Sequence, residues 1–295
     1  MTRILPRQTT TLPDGRTLSY IEAGDPDGVP LLFTIGTPSS ATGGLAFASA
    51  AARNGVKLIS IDKPGYGQST RDRNRSLVRY GQDVAALADS LELERVALAG
   101  QSGGGPHALA AAHILGSRVS TLTLISSFGP ATETWVRPEL AGPMKIMTMV
   151  SQHAPGFMGV VVSLMKILTG TRAHAERMVK HAAAKATPTE REALTSPELQ
   201  FILDGYGEAY SSIGAVCDEL RAIGVPWGFD LEGIGAPTDL WHGTEDNTCS
   251  ITMARGIAYR LPRSTLHELP GLGHSFFGRA LDDALANVRA KAIQL

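Results

Sequence analysis

Cysteine is almost absent from this chain: two residues in 295, Cys217 and Cys249, far apart and in no CxxC pattern. Nothing here reads as a disulfide framework or a cysteine-built metal site. A chain of this length can bury enough core to need neither. Free thiols in a reducing cytosol are the simplest account, so a cytoplasmic location is expected. A dominant charge sign is missing too. Lys and Arg number 27 against 28 Asp and Glu, a formal net charge of −1. The one short basic run, RDRNR from Arg71 to Arg75, reads as a solvated loop, so no nucleic-acid partner is expected. Long hydrophobic runs are lacking. The most apolar window, GFMGVVVSLMKIL, is shorter than the roughly 20 residues of a bilayer crossing. Pro155 stands upstream of it and Lys166 inside it. The opening MTRILPRQTT has no apolar core of a signal peptide. No membrane partner is expected. Repeats and low-complexity tracts are absent as well.

What is present is alternation. With 43% hydrophobic and 19% charged residues, the composition reads as globular. TTTLPDGRTLSYIEA reads as a hairpin turning at Asp14-Gly15. PLLFTI (30–35), VKLISID (56–62), RVALA (95–99), VSTLTLIS (119–126), TDLWHG (238–243) and STLHELP (264–270) read as buried strands. Between them lie helical segments: LAFASAAARNG, RSLVRYGQDVAALADSLEL, the run after Ser102, SITMARGIAYRLP and the tail. Strands alternating with helices predict a mostly parallel sheet covered on both faces. The alternation stops near Phe128 and resumes near Ala236. Residues 129–235 are read as a helical insertion, and 1–128 with 236–295 as the core. Such an insertion would sit over the carboxyl ends of the strands, where open α/β sheets bind ligands.

One serine stands among glycines at a strand-to-helix junction. Gly100-Gln101-Ser102-Gly103-Gly104 fits GxSxG, and a strand before it with a helix after it is the context that pattern requires. A tight turn would strain the serine backbone and lift its hydroxyl clear of the sheet. Side chains at Gly100 and Gly104 would collide with neighbouring elements. A serine hydroxyl is a poor nucleophile until a base and an orienting acid reach it. Among eight histidines, His274 sits between glycines in a loop after the last strand and can be aimed at the strand ends. His107 and His113 are carried away along the helix and read as packing residues. His153, His174 and His181 fall in the insertion, and His267 lies within the last strand. His242 reads as a supporting or packing residue. Asp246, in WHGTEDN after the preceding strand, is the expected acid, with Glu245 as its rival. Asp62 is read as tying down the loop KPGYGQS.

These pieces together resemble the α/β-hydrolase superfamily, in the serine-nucleophile branch with a helical cap. The resemblance is carried by LPDGRTLSYIEAGDPDG, IGTPSS, DKPGYGQS, GQSGGGPHALA, LWHGTEDN and LPGLGH. The chain order Ser102, Asp246, His274 is the nucleophile–acid–base order of that fold. The resemblance implies a mostly parallel α/β-hydrolase sheet flanked by helices, an oxyanion hole from the backbone N–H groups of Gly103 and Thr37, and an acyl-enzyme route. It implies no metal and no cofactor. Family members carry His-Gly where this chain has Ile35-Gly36. A serine at position 102 excludes the relatives with a carboxylate nucleophile. Ile35, Gly36, Gln101 and Met147 are the expected substrate contacts. Six of the eight methionines fall in the insertion: Met144, Met147, Met149, Met158, Met165 and Met178. They suit either ordinary packing or a pocket for a bulky apolar group. The expected activity is hydrolysis of an ester-like bond in a small apolar molecule. A lyase or acyl transferase on the same triad, or a ligand receptor on the same fold, remain alternatives. The oligomeric state is left open.

Overall fold

The computed structural model of the protein describes residues 3–140, 142–169, 191, 194–275 and 278–293. Nine strands form one sheet: β1 (Arg3–Ile4), β2 (Gln8–Thr11), β3 (Thr17–Gly24), β4 (Val29–Thr34), β5 (Val56–Ile61), β6 (Val96–Gln101), β7 (Val119–Ile125), β8 (Thr238–Gly243) and β9 (Ser264–Leu269). Their order is β1-β3-β5-β4-β6-β7-β8-β9, with β2 paired to β3. The pairs of β3 with β1, β2 and β5 are antiparallel, and the remaining pairs, from β5 to β9, are parallel. The hairpin turns at Asp14-Gly15 as the sequence suggests, with Gly15 at φ +83°, a left-handed conformation that glycine adopts without a Cβ penalty.

The helices are α1 (Ala41–Gly44), α2 (Ala48–Arg53), α3 (Leu77–Ser90), α4 (Gly104–Leu115), α5 (Gly142–His153), α6 (Met158–Thr169), α7 (Leu199–Ala209), α8 (Ile213–Gly224), α9 (Ile251–Arg260) and α10 (Arg279–Ile293). Both faces of the sheet are covered, and its central strands are buried along nearly their whole length, not at alternate positions. Leu31 and Phe33 of β4 pack into a layer with α2 and α10, through Ala51, Leu285 and Val288. Leu32, one residue out of phase, packs into the opposite layer with Leu87 of α3 and Leu109 of α4. The sequence-derived helix LAFASAAARNG is two short pieces, a 3₁₀ turn at Leu45–Phe47 and α2, and α1 precedes it. Strand β6 runs two residues past the RVALA segment, to Gln101, and so delivers the chain directly to Ser102.

Between β7 and β8 the described residues carry helices and 3₁₀ turns but no strand. His174, His181 and Met178 lie outside the described residues. No helix among the described residues is long and apolar enough to cross a membrane.

Helices α3 and α4 approach one another closely at Gly81. A Cβ there would sit 2.6 Å from the Ala110 carbonyl oxygen and 2.9 Å from its carbonyl carbon. Glycine to alanine inside a helix ordinarily gains about 1 kcal/mol. Backbone atoms cannot yield as a flexible side chain can, so overpacking wins here. Gly81→Ala is expected to destabilise by about 1–3 kcal/mol, read as a lower urea midpoint at unchanged slope. A raised midpoint would show that the two helices can part at no cost.

Candidate active site

Ser102 follows β6 at φ +54°, a left-handed backbone that costs a non-glycine residue energy and persists only when its surroundings impose it. Three hydrogen bonds impose it. The Ser102 N–H donates to Ile125 O (2.9 Å), and its carbonyl accepts from Gly105 N (3.0 Å) and Phe128 N (3.1 Å). The glycines around it have physical reasons. A Cβ on Gly104 would fall on the Thr34 carbonyl oxygen and lie 2.8 Å from Ile35 O. On Gly100 it would meet the carbonyl of Gly104 and lie 2.8 Å from the Ala108 Cβ. On Gly103 it would strike the Thr37 side chain, with the Thr37 nitrogen 3.3 Å away. The backbones of Gly103 and Thr37 therefore lie side by side next to the serine.

His274, in the loop after β9, points its Nε2 at Ser102 Oγ, 3.0 Å away. Its Nδ1 lies 2.8 Å from Asp246 Oδ2, in the loop after β8. With the acid accepting from Nδ1–H, Nε2 is left free to accept the serine proton. The Asp246 side chain is fully buried, and that of His274 is 21% exposed. Four donors meet the Asp246 carboxylate. Oδ1 accepts from the N–H groups of Thr248 and Cys249, both 2.8 Å, and Oδ2 faces His274 and, at 3.2 Å, His242 Nε2. Burial by itself would raise this carboxyl. Hydrogen bonds from His242 and His274 overcome that and hold it well below the usual carboxylate range. The rival Glu245 is exposed. His242 has the supporting place expected of it, donating also to Cys249 O at 2.7 Å. The buried Cys249 thiol hydrogen-bonds to Ser102; burial and the charge of Asp246 raise it well above its ordinary value.

A cavity of about 90 Å³ opens over these groups. Ile35, Gly36, Thr37, Gln101, Ser102 and His274 line its floor, and Phe47, Ile125, Leu199, Ile202 and Tyr206 supply apolar walls. Gln101 also caps the loop from Ile35 to Thr37, its Oε1 accepting from Gly36 N at 3.2 Å. Met147 is elsewhere. It is 7% exposed and belongs to the core cluster that holds Leu220 and Ile223 of α8. The sequence-based expectation that it contacts substrate is corrected: its helix turns it inward onto α8. Met158 is buried in the same cluster, and Met144 and Met165 pack against it. Among the described residues no methionine lines the cavity.

Beneath the loop from Ile35 to Thr37 lies a buried charged cluster that sequence reasoning missed. Lys63 and Glu219 are fully buried and meet at 2.5 Å, Nζ to Oε1. Lys63 Nζ also donates to the carbonyls of Ile35 (3.0 Å) and Gly36 (2.7 Å). The same carboxylate accepts from Thr37 Oγ1 at 2.8 Å, and from the Tyr66 hydroxyl. Arg75 Nη2 is 3.5 Å from it. Burial alone would raise Glu219, but the charges of Lys63 and Arg75 bring it down to about 2. Burial lowers Lys63 to about 8 against the pull of Glu219. His107 is the packing residue expected of it. Arg75 donates to its Nε2 (3.0 Å), so its Nδ1–H donates to Gly103 O (2.8 Å). Burial, Arg75 and Lys63 depress it to about 3, and it stays neutral. Asp62 does only part of the expected work. Its carbonyl accepts from Ser69 in the loop, but its carboxylate goes to Ser19, Ala41 N and Arg7.

The model of the alpha/beta hydrolase fold family matches residues 30–279. An uncharacterized hydrolase of Bacillus subtilis, YcgS, is 32% identical over 126 residues, 43% of this chain and 42% of that protein. The dihydrolipoyllysine-residue acetyltransferase component of the acetoin cleaving system of Pseudomonas putida is 34% identical over 116 residues, 39% of this chain and 31% of that protein. The match thus spans less than half of either relative's own length. An alpha/beta hydrolase fold protein from Nakamurella multipartita superposes with a TM-score of 0.69 at 18% identity, covering 97% of this chain and 99% of that one. At that identity the likeness is one of fold.

The depressed Asp246 carboxyl makes stability depend on pH. Below its unfolded value near 3.8 the unfolded chain binds a proton that the folded protein resists, so stability rises with pH there. The contribution is complete above that value and is lost as acid titrates the folded carboxyl. Asp246→Asn is therefore expected to be less stable at pH 7, with the gap closing toward pH 3 in urea titrations. A gap of constant size across that range would contradict the assignment.

Proposed function

Since the chain belongs to the alpha/beta hydrolase fold family, we propose that it is a serine hydrolase that cleaves an ester-like bond of a small, largely apolar molecule. The observation that carries this reading is the hydrogen-bonded series from Ser102 Oγ through His274 to Asp246, at 3.0 and 2.8 Å. Those are distances at which an imidazole can take the hydroxyl proton as the oxygen attacks. In this reading His274 Nε2 removes the proton of Ser102, and Asp246 holds the imidazole tautomer and balances the imidazolium charge. The negative charge that develops on the substrate oxygen is met by the N–H groups of Gly103 and Thr37. Donors of this kind are worth about 10²–10³ in rate each, because they are already oriented when the charge appears. His274 then gives its proton to the departing alcohol. A water molecule, deprotonated by the same nitrogen, attacks the acyl-serine and frees the acid.

The cavity supports a small substrate rather than a bulky one. At about 90 Å³ it is well below the roughly 300 Å³ where pockets for larger ligands begin. Its walls of Phe47, Ile125, Leu199 and Ile202 favour an apolar acyl group. The chain lacks the side-chain contribution of a histidine at position 35, but the backbone donor beside it does not depend on that side chain.

A fluorophosphonate probe is expected to label Ser102, with Ser102→Ala unlabelled and inactive. Nitrophenyl acetate to butyrate should be turned over with kcat/KM at least about tenfold above the decanoate. Full activity in Ser102→Ala would overturn the mechanism. Labelling of Ser102 without turnover of any ester would replace hydrolysis by lyase or acyl-transfer chemistry on the same groups.

A further inference from the structure

We infer that Lys63 is a positioning residue for the oxyanion site, its buried ammonium holding and polarising the Gly36–Thr37 peptide from beneath. The inference rests on the reading that the Thr37 N–H is an oxyanion donor. Its geometric basis is a single peptide unit. The carbonyl of Gly36 and the N–H of Thr37 belong to one planar, conjugated amide. Lys63 Nζ donates to that carbonyl at 2.7 Å. A charge-assisted hydrogen bond at the oxygen end draws electron density from the nitrogen and leaves its hydrogen more positive. Hydrogen bonds linked in this way strengthen each other by about 10–30% per bond.

The surroundings keep that effect from being screened. Lys63 and Glu219 are fully buried, and charges act further in such a medium than in water. Two cations, Lys63 and Arg75, face the one carboxylate of Glu219. The neighbouring acid, Asp62, pairs with Arg7 at 2.8 Å, a cation it shares with Glu208. Lys63 is therefore the charge in direct contact with the carbonyls of the loop beside which the oxyanion would form. Glu219 fixes the other half of the same residue. Its Oε1 accepts from Thr37 Oγ1, so Thr37 is held by its side chain while its preceding carbonyl is held by Lys63. Glu219 comes from α8, in the insertion, so the oxyanion loop is completed by a residue 182 positions further along the chain.

A merely structural ion pair and a polarising cation give different results when both charges are removed. A mere counter-charge to Glu219 becomes dispensable once that carboxylate is gone, whereas a cation that polarises the peptide does not. The test compares wild type, Lys63→Met and Lys63→Met/Glu219→Gln. It reads nitrophenyl acetate kinetics, the rate of fluorophosphonate labelling at Ser102, and thermal melting. Lys63→Met should lower kcat about tenfold or more, with KM held within about twofold, and should slow labelling in parallel. The double variant should regain neither kcat nor labelling rate. Where Lys63→Met does not fold, the double variant carries the comparison. Recovery of wild-type kcat and labelling in the double variant would overturn the inference, leaving Lys63 as a counter-charge to Glu219. A change confined to KM would overturn it as well. Wild-type protein that is neither active nor labelled would instead remove the serine-hydrolase reading, and this inference with it.

Discussion

The first turn of α4 lies against the exit of β4 with no room for a side chain between them. Gly104 sits on the Thr34 carbonyl, Gly103 on the Thr37 side chain, and Gly100 under the carbonyl of Gly104. That closeness brings two loops that are far apart in the chain, 35–37 and 102–104, into one place. It also holds Ser102 in a left-handed conformation that an isolated peptide would avoid. If the helix stood further off, the serine would relax and its hydroxyl would leave the cavity floor. The parallel pairing of β4, β6, β7 and β8 sends all four exits to the same edge of the sheet. The acid and the base then need only short loops to reach the serine.

Around this point the protein keeps ionised groups out of water and compensates each. Asp246 has two backbone donors and two imidazoles, enough to keep a buried carboxylate charged. Glu219 has Lys63, Arg75, Thr37 and Tyr66. Two buried carboxylates thus border the same cavity, one behind His274 and one beneath the loop from Ile35 to Thr37. Buried ion pairs contribute little to net stability compared with apolar packing. Their effect is to fix geometry, because each partner has one satisfactory position and a steep penalty elsewhere. Of the two, the Glu219 cluster joins α8 to the loops after β4 and β5 through hydrogen bonds.

Much of this was legible in the chain. Runs of five to eight residues alternating with helical spacing showed a mostly parallel sheet, and the strand bounds moved by only one or two residues. The residues Ser102, Asp246 and His274 could be singled out because local signals marked each: glycines around a serine, a carboxylate just past a strand, a histidine between glycines in a loop. Met147 misled because methionine content reports flexibility and apolarity, not the direction a helix faces. The α8 side of α5 took it. Lys63 and Glu219 were invisible for a related reason. A lysine in a polar loop and a glutamate in a helix look solvent-exposed in any one-dimensional reading, and 156 residues separate them.

The sequence by itself determined which groups could do chemistry and the fold they ride on, since strand and helix periodicity and the strained glycine turn are local properties. Only the tertiary structure decided which charges lose water, which acid meets His274, and what lies under the loop from Ile35 to Thr37. Those depend on distances between segments remote in the chain, and both dielectric screening and hydrogen bonding are set by such distances rather than by composition.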